Sequence, residues 1–276
     1  MHGCRVADSL PPILTIAGSD CSAGAGIQAD LKAISALGGY ALTALTSVVS
    51  ETPGKVSLVR LLDPEFIADQ VRVLFEAFPI QAAKTGMLGG VAQVEAVVQV
   101  WKQCAGRVPL VVDPVMVATS GGRLLADEAV QAVKSLLLPL AAVITPNMDE
   151  AEVLWGRPVT SQEAMEQCAR DLAQAFQTSV LVKGGHLQDG SADDVLCTAD
   201  SLLWFRAVRT PGVQTHGTGC TYSSSIAALL GQGFPLEEAV AEAKQFVSRA
   251  IAEHFAWTHQ AGLVHALNHL HQTPAE

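Results

Sequence analysis

The stretch ILTIAGSDCSAGAGIQADLKAISAL, residues 13–37, decides the fold class. Ile13–Ala17 is a short aliphatic and β-branched run, the composition of a buried strand. A loop of glycine, serine and alanine follows. Gly26–Leu37 then sets Ile27, Leu31, Ile34 and Leu37 on one helical stripe. A strand feeding a glycine-bearing loop and then a helix is the opening of an α/β unit, and open α/β sheets bind ligands at the carboxyl ends of their strands.

The same alternation continues along the chain. The spacing predicts strands over Leu42–Val49, Ala82–Thr85, Leu110–Val112, Ala142–Thr145 and Val180–Val182. Between them it predicts helices over Pro64–Phe75, Gln93–Cys104, Ala126–Leu137 and Ser161–Ala175. Asp63 stands where a cap belongs, with Pro64 at the first helical position. Later, Asp194–Cys197 and Leu202–Ala207 read as neighbouring strands joined by a short turn. Gly219–Leu230 and Leu236–Phe255 read as strong helices and Gln260–His271 as a last one. The expected architecture is α/β: three layers, with a central, mostly parallel sheet covered on both faces by helices. No internal repeat or low-complexity linker appears. One domain is expected over residues 11–272, behind a loose N-terminal extension, residues 1–10.

Composition narrows the function classes. The chain has 276 residues, 49% hydrophobic and 16% charged, enough apolar material for a large core. A net charge of −10 with no basic stripe argues against nucleic acid as a partner. No apolar run is long enough for a membrane span, and residues 1–12 lack the pattern of a secretory signal. The six cysteines (Cys4, Cys21, Cys104, Cys168, Cys197 and Cys220) include no CxxC pair. They read as free thiols in a reducing cytoplasm.

Five segments carry candidate chemistry. Thr215-His216-Gly217-Thr218-Gly219-Cys220-Thr221 leads directly into an apolar helix. Glycines there let consecutive N–H groups face outward at a helix amino terminus, which makes an anion site suited to a moving phosphoryl group. A plain glycine-rich helix cap gives the same pattern. Cys220 lies in the first turn, where the helix dipole lowers a thiol pKa and fits it to accept a proton from a hydroxyl; a buried structural cysteine is the bland alternative. Ala17–Gly26 follows the first strand but lacks the full GxGxxG, and no GKS or GKT of a P-loop occurs. Asp113, in Val112-Asp113-Pro114-Val115-Met116, could hold a cation or simply form a turn; Thr119-Ser120-Gly121-Gly122 follows it. Asn147 and Glu150 are three apart at a helix start, the pattern of two oxygens for a magnesium shell and also of a capping box. Lys183, before Gly184-Gly185-His186, either reaches a phosphate or ends a strand in solvent. His265, His269 and His271 fall in the predicted last helix, but with neither an HExxH motif nor a cysteine partner they are not read as a metal site.

Taken in order, AGSDCSAGAGIQADLKA, KTGML, VDPVMVATSG, TPNMDEAEVL, VKGGHL and THGTGCTYSSSIAA resemble the hydroxymethylpyrimidine/phosphomethylpyrimidine kinases of the ribokinase-like superfamily, from about Ile13 to about Ile251. The resemblance implies a three-layer α/β/α fold, ATP as phosphoryl donor, and Mg2+. It also implies two successive phosphorylations of 4-amino-5-hydroxymethyl-2-methylpyrimidine for thiamine biosynthesis, in a cytoplasmic homodimer. Gly217, Thr218 and Gly219 are implied as the anion hole and Cys220 as the catalytic base. Ala25, Asp30, Met87, Val115 and Glu51 are implied as the pyrimidine pocket. Lys183, Asn147, Lys244 and Thr215 fall on the nucleotide side, with Glu150 and Asp113 toward the metal. One departure stands out: Thr52-Pro53 follows Glu51 where the family pattern has Asn-Thr. Two other readings compete, a cysteine-bearing pyridoxine/pyridoxal kinase and a non-catalytic pyrimidine sensor.

Overall fold

The computed structural model describes residues 9–52, 54–116, 125–185, 190–213, 216–259 and 262–270. In chain order the elements are β1 (Pro12–Ala17), α1 (Gly26–Ala36), β2 (Tyr40–Leu45), β3 (Ser47–Thr52), β4 (Lys55–Leu61), α2 (Pro64–Ala77), β5 (Ala82–Thr85), α3 (Val91–Cys104), β6 (Leu110–Val112) and α4 (Asp127–Ala132). Then come β7 (Val143–Ile144), α5 (Met148–Trp155), α6 (Gln162–Phe176), β8 (Ser179–Lys183), β9 (Asp194–Cys197), β10 (Leu202–Phe205), α7 (Thr218–Gly231), α8 (Leu236–Ala252), β11 (Phe255–His259) and β12 (Gly262–Ala266).

Eight strands form one sheet in the order β10-β9-β8-β7-β6-β5-β1-β2. Pairing is parallel from β2 through β8 and antiparallel at β8–β9 and β9–β10. Strand alternation sorts the core into two layers. Leu14, Ile16, Ala83, Val112, Ile144, Val180 and Val182 face α2, α3, α4, α5 and α6. Ile13, Ala82, Val111, Val143, Leu181 and Leu196 face α1, α7 and α8. The three-layer expectation is met, and so is the Asp63 cap, whose Oδ1 accepts from Glu65 N at 2.9 Å. None of the described helices is long and apolar enough to cross a membrane.

Three boundaries need correction. Leu42–Val49 is not one strand: β2 ends at Leu45, and β3 leaves the sheet to pair with β4. The cause is local. Beyond Ala17 the first strand has ended, so Thr46 N donates to Ala17 O, Thr46 Oγ1 donates to Met87 O, and Ser19 N donates to Ser47 O. These bonds peel the chain away. β4 was missed because all seven of its residues are exposed and carry no inward apolar alternation. At the other end, the described residues of the predicted helix Gln260–His271 are not helical: Gly262–Ala266 form β12, paired with β11, which starts at Phe255 where the helix predicted over Leu236–Phe255 was to end. Gly262, at φ +114°, opens β12 in a backbone conformation that a right-handed helix does not contain. Finally, the helix expected over Ala126–Leu137 is α-helical only to Ala132; a π-turn over Val133–Leu137 follows and Pro139 stops it.

Candidate active site

The site lies where the carboxyl ends of β1, β5, β6 and β8 meet the amino terminus of α7. Gly217 is the N-cap of α7 at φ +81°, with no side chain to satisfy the first-turn amides. A Cβ on Gly217 would stand 1.8 Å from the Gly24 carbonyl oxygen, so the β1–α1 loop and the α7 turn are packed backbone to backbone. The amides of Thr218, Gly219 and Cys220 begin the helix and have no partner within it, the arrangement that attracts an anion. Gly217→Ala is therefore expected to cost about 100-fold in kcat/KM through displacement of this turn, with a lowered melting temperature. Steady-state kinetics and thermal unfolding of the variant check this.

Gly219 faces a buried ion pair. A Cβ there would lie 3.2 Å from Lys183 Nζ and 3.4 Å from Asp113 Oδ2. Lys183 Nζ donates to Asp113 Oδ1 at 3.0 Å; Thr145 Oγ1 lies 3.2 Å from that oxygen and Ser223 Oγ 3.3 Å from Oδ2. Burial opposes the Lys183 charge, but Asp113 and Glu150 outweigh it and raise its pKa. Lys183 is thus not a solvated strand end: its ammonium is paired with Asp113 beside the first turn of α7.

Asn147 and Glu150 do form a capping box. Asn147 Oδ1 accepts from Glu150 N and Glu150 Oε2 accepts from Asn147 N, both at 2.9 Å. The other carboxylate oxygen, Oε1, accepts from Met116 N at 3.1 Å, tying α5 to the Asp113-Pro114-Val115 turn. Burial pushes the Glu150 carboxyl up to about 7, with Lys183 opposing and Asp113 adding to the rise. Val115, in that turn, has φ +44°, a strained value for a β-branched residue.

Cys220 lies partly exposed in the first turn of α7. The expected lowering of its pKa is not found. Burial pushes the thiol up to about 11, against the pull of the Lys84 ammonium and a hydrogen bond from the Gly26 backbone. Desolvation outweighs the helix dipole here.

The remaining pocket residues divide. Ala25 leads into α1 and stands 3.1 Å from the position of a Gly217 Cβ. Met87 packs over Gly18, its Cε 2.9 Å from where a Cβ would be. Glu51 is half-buried on β3, where the register shifts between Ser50 and Glu51, a bulge that re-aims the side chain. Its acidic oxygen lies within 4.8 Å of ligand atoms of Asp20 and His216, and burial and Asp20 raise its pKa. Asp30 is different. It is wholly buried, with both oxygens at 2.9–3.0 Å from Lys84 Nζ and a 2.6 Å bond from Thr15 Oγ1. Lys244 is likewise engaged, with Asp194 Oδ2 at 2.6 Å and the Ala192 carbonyl. Asp194 in turn accepts from Gly184 N, so Lys244 braces the turn after Lys183. Thr215, Pro53, His186, His271 and the segment 119–122 lie outside the described residues. His265 is on β12 against His254, and His269 lies 2.9 Å from Thr221 Oγ1, so their i,i+4 spacing is not a helical face.

Lys84, Asp20 and His216 were not singled out from the sequence. Lys84 had a signal: a charge inside the four-residue apolar strand Ala-Ala-Lys-Thr, which is affordable only with a buried counter-ion.

Comparison with known proteins gives the family and the fold. The phosphomethylpyrimidine kinase family model matches residues 20–265. The hydroxymethylpyrimidine/phosphomethylpyrimidine kinase of Rhizobium meliloti is 42% identical over 87% of this chain and 90% of that protein. A thiamine biosynthesis bifunctional protein of Geobacter sulfurreducens is also 42% identical, but this chain spans only 49% of its length. Among solved structures, an ADP complex of Bacillus subtilis pyridoxal kinase superposes with a TM-score of 0.84 at 34% identity, covering 94% of this chain and 98% of that one. The fold is therefore ribokinase-like, and the chain belongs to the phosphomethylpyrimidine kinase family.

Proposed function

We propose that this protein is an ATP-dependent kinase that phosphorylates 4-amino-5-hydroxymethyl-2-methylpyrimidine and then its monophosphate, yielding the diphosphate for thiamine biosynthesis. The observation that carries the reading is a convergence. The α7 amides, a thiol in the same turn, and the Lys183–Asp113 pair packed against Gly219 form one centre. A phosphoryl group passing between two oxygens needs donors where charge develops, a nearby cation and, for an alcohol acceptor, a proton acceptor.

In this reading Gly217–Gly219 hold the transferring group, Lys183 holds the donor phosphates, and Cys220 takes the hydroxymethyl proton. Ala25, Met87, Val115 and Glu51 surround the ring, the Glu51 carboxylate accepting from the 4-amino group. Asp30 acts indirectly, through Lys84. Asn147 and Lys244 support the nucleotide side by holding Glu150 and the Gly184 turn, and Thr215 is assigned to the same side. Magnesium fits the residues present: Glu150 and Asp113 are buried carboxylates sharing one ammonium, and their hard oxygens suit it. When bound, the ion neutralises charge on the phosphates. A cytoplasmic homodimer completes the proposal, a second copy covering the exposed Val48, Leu58, Val59 and Leu61 of the β3–β4 hairpin.

The fold likeness to a pyridoxal kinase supports a second acceptor, since pyridoxal also bears a hydroxymethyl group. Phosphate transfer from ATP-Mg to the pyrimidine alcohol and to pyridoxal separates the two. The proposal expects kcat/KM for the pyrimidine to exceed that for pyridoxal by about 100-fold or more, a difference of about 3 kcal/mol in transition-state binding. A preference for pyridoxal would move the assignment to that alcohol.

A further inference from the structure

The loop after β1 and the turn before α7 are joined by more than proximity. Asp20 Oδ2 accepts from Gly24 N at 3.0 Å, from Ala25 N at 2.7 Å, and pairs with His216 Nε2 at 3.0 Å. Its other oxygen accepts from the N–H and the hydroxyl of Ser22, each at 2.7 Å. Gly24 leaves no room between loop and ring: a Cβ there would lie 2.7 Å from His216 Cδ2. One residue further, Gly217 abuts the Gly24 carbonyl. A single carboxylate thus organises the loop that borders the ring pocket, and through the imidazole it reaches the residue that precedes the anion hole.

We propose that His216, as an imidazolium clamped by Asp20, is a positioning residue that locks residues 20–25 onto the Gly217–Gly219 turn, so that the acceptor pocket and the anion hole are set as one unit. The charged groups that face the ring are Asp20, from the β1–α1 loop, and Glu51, from β3. Both are acidic, and the hydrogen bond from Asp20 raises the His216 pKa against the effect of burial. Burial alone would lift the Asp20 carboxyl, but its hydrogen bonds from His216, Ser22 and Ala25 hold it well below the usual carboxylate range. The cluster has the composition of a metal site, yet Asp20 already accepts five hydrogen bonds, so a proton on His216 serves it better than a cation would. The sign follows: a His pKa raised above 6.5 keeps the latch charged to higher pH than an ordinary imidazole would, and the latch is lost as pH rises through the raised value.

The proposal rests on the kinase reading for its kinetic arm only. Phosphorylation of the monophosphate is the cleaner reaction, because its acceptor needs no base. Its kcat/KM is expected to fall in the wild type as pH rises through the raised His216 pKa, above 6.5. In His216→Gln, which keeps an amide donor but cannot titrate, that falling limb should vanish. His216→Ala should lose about 100-fold in both phosphorylations, as displacement of a positioned group does. Independently of turnover, the NMR titration of His216, assigned by its disappearance in His216→Gln, should show a midpoint above 6.5 that drops in Asp20→Asn. A falling limb that persists in His216→Gln, or a titration midpoint at or below 6.5 in the wild type, overturns the latch. Absence of all phosphate transfer by the wild type would instead overturn the kinase reading, and the titration would still decide the latch.

Discussion

Cys220→Ser is expected to slow phosphorylation of the hydroxymethyl group by about 10²-fold or more and phosphorylation of the monophosphate by less than about tenfold, since general-base catalysis contributes roughly that much where a proton must leave. The alcohol acceptor must lose a proton as the new P–O bond forms. A phosphate acceptor is already ionised. In the proposed site both reactions use the same amides of Thr218 and Gly219, so damage to that turn would slow them alike. The raised thiol pKa sharpens the test. With burial pushing Cys220 up to about 11, the thiolate is a minor form at neutral pH and grows about tenfold per pH unit below that value. Any limb arising from His216 is shared by both reactions and cancels in their ratio. The ratio of first to second rate should therefore rise between pH 7.5 and 9.5 in the wild type and stay flat in Cys220→Ser. Quenched-flow measurement of both reactions, over that range, checks it. Equal loss in the two steps would remove Cys220 from the proton-transfer role.

Lys84→Met is expected to destabilise the protein by about 3–5 kcal/mol, the usual consequence of leaving one member of a buried ion pair without its partner. Lys84 and Asp30 are both fully buried, and Asp30 spends both oxygens on the ammonium and one also on Thr15. Burial disfavours the Lys84 charge, yet Asp30 more than compensates and raises its pKa. For a chain of this size the loss corresponds to a fall in melting temperature of roughly 10 °C. The double variant Lys84→Met/Asp30→Leu should recover most of it, because two apolar side chains of similar volume leave no orphan charge. Differential scanning calorimetry of the three proteins gives the answer. A single variant within about 1 kcal/mol of the wild type would mean that water or another group reaches Asp30.

The parallel part of the sheet was legible because its inner strands are buried on both faces and most of its helices are amphipathic. Leu110–Val112 and the run through Val180–Val182 have no polar interruption, and Asp63-Pro64 marks a helix start unambiguously. The two hairpins outside the sheet were not legible. β4 is wholly exposed and β3 buries only Ser47 and Val49, so no core-facing stripe reports the hairpin, and the break at Thr46 depends on bonds to Ala17 and Met87 that are distant in sequence. At the other hairpin, His265 in β12 and His269 beyond it mimic a helical i,i+4 pair, while the positive φ of Gly262 belongs to no right-handed helix.

The site shows the same division. Gly217, Gly219, Lys183, Asp113 and Glu150 could be read from local motifs because each motif supplies its own backbone geometry. What binds the motifs together could not. The Asp20–His216 pair spans 196 positions and Asp30–Lys84 spans 54, and both exist only because the fold brings the β1–α1 loop to the start of α7 and α1 to β5. The thiol pKa was misjudged for a related reason: the dipole is visible in sequence, whereas burial is a property of the fold.

Phosphorus-31 NMR of the wild-type protein with ATP, magnesium and the pyrimidine alcohol tests the central claim most directly. The expected record is a phosphomonoester that rises and then decays into a diphosphate ester as ATP is consumed. A monoester that accumulates without a diphosphate, or no phosphorylated pyrimidine at all, would contradict it.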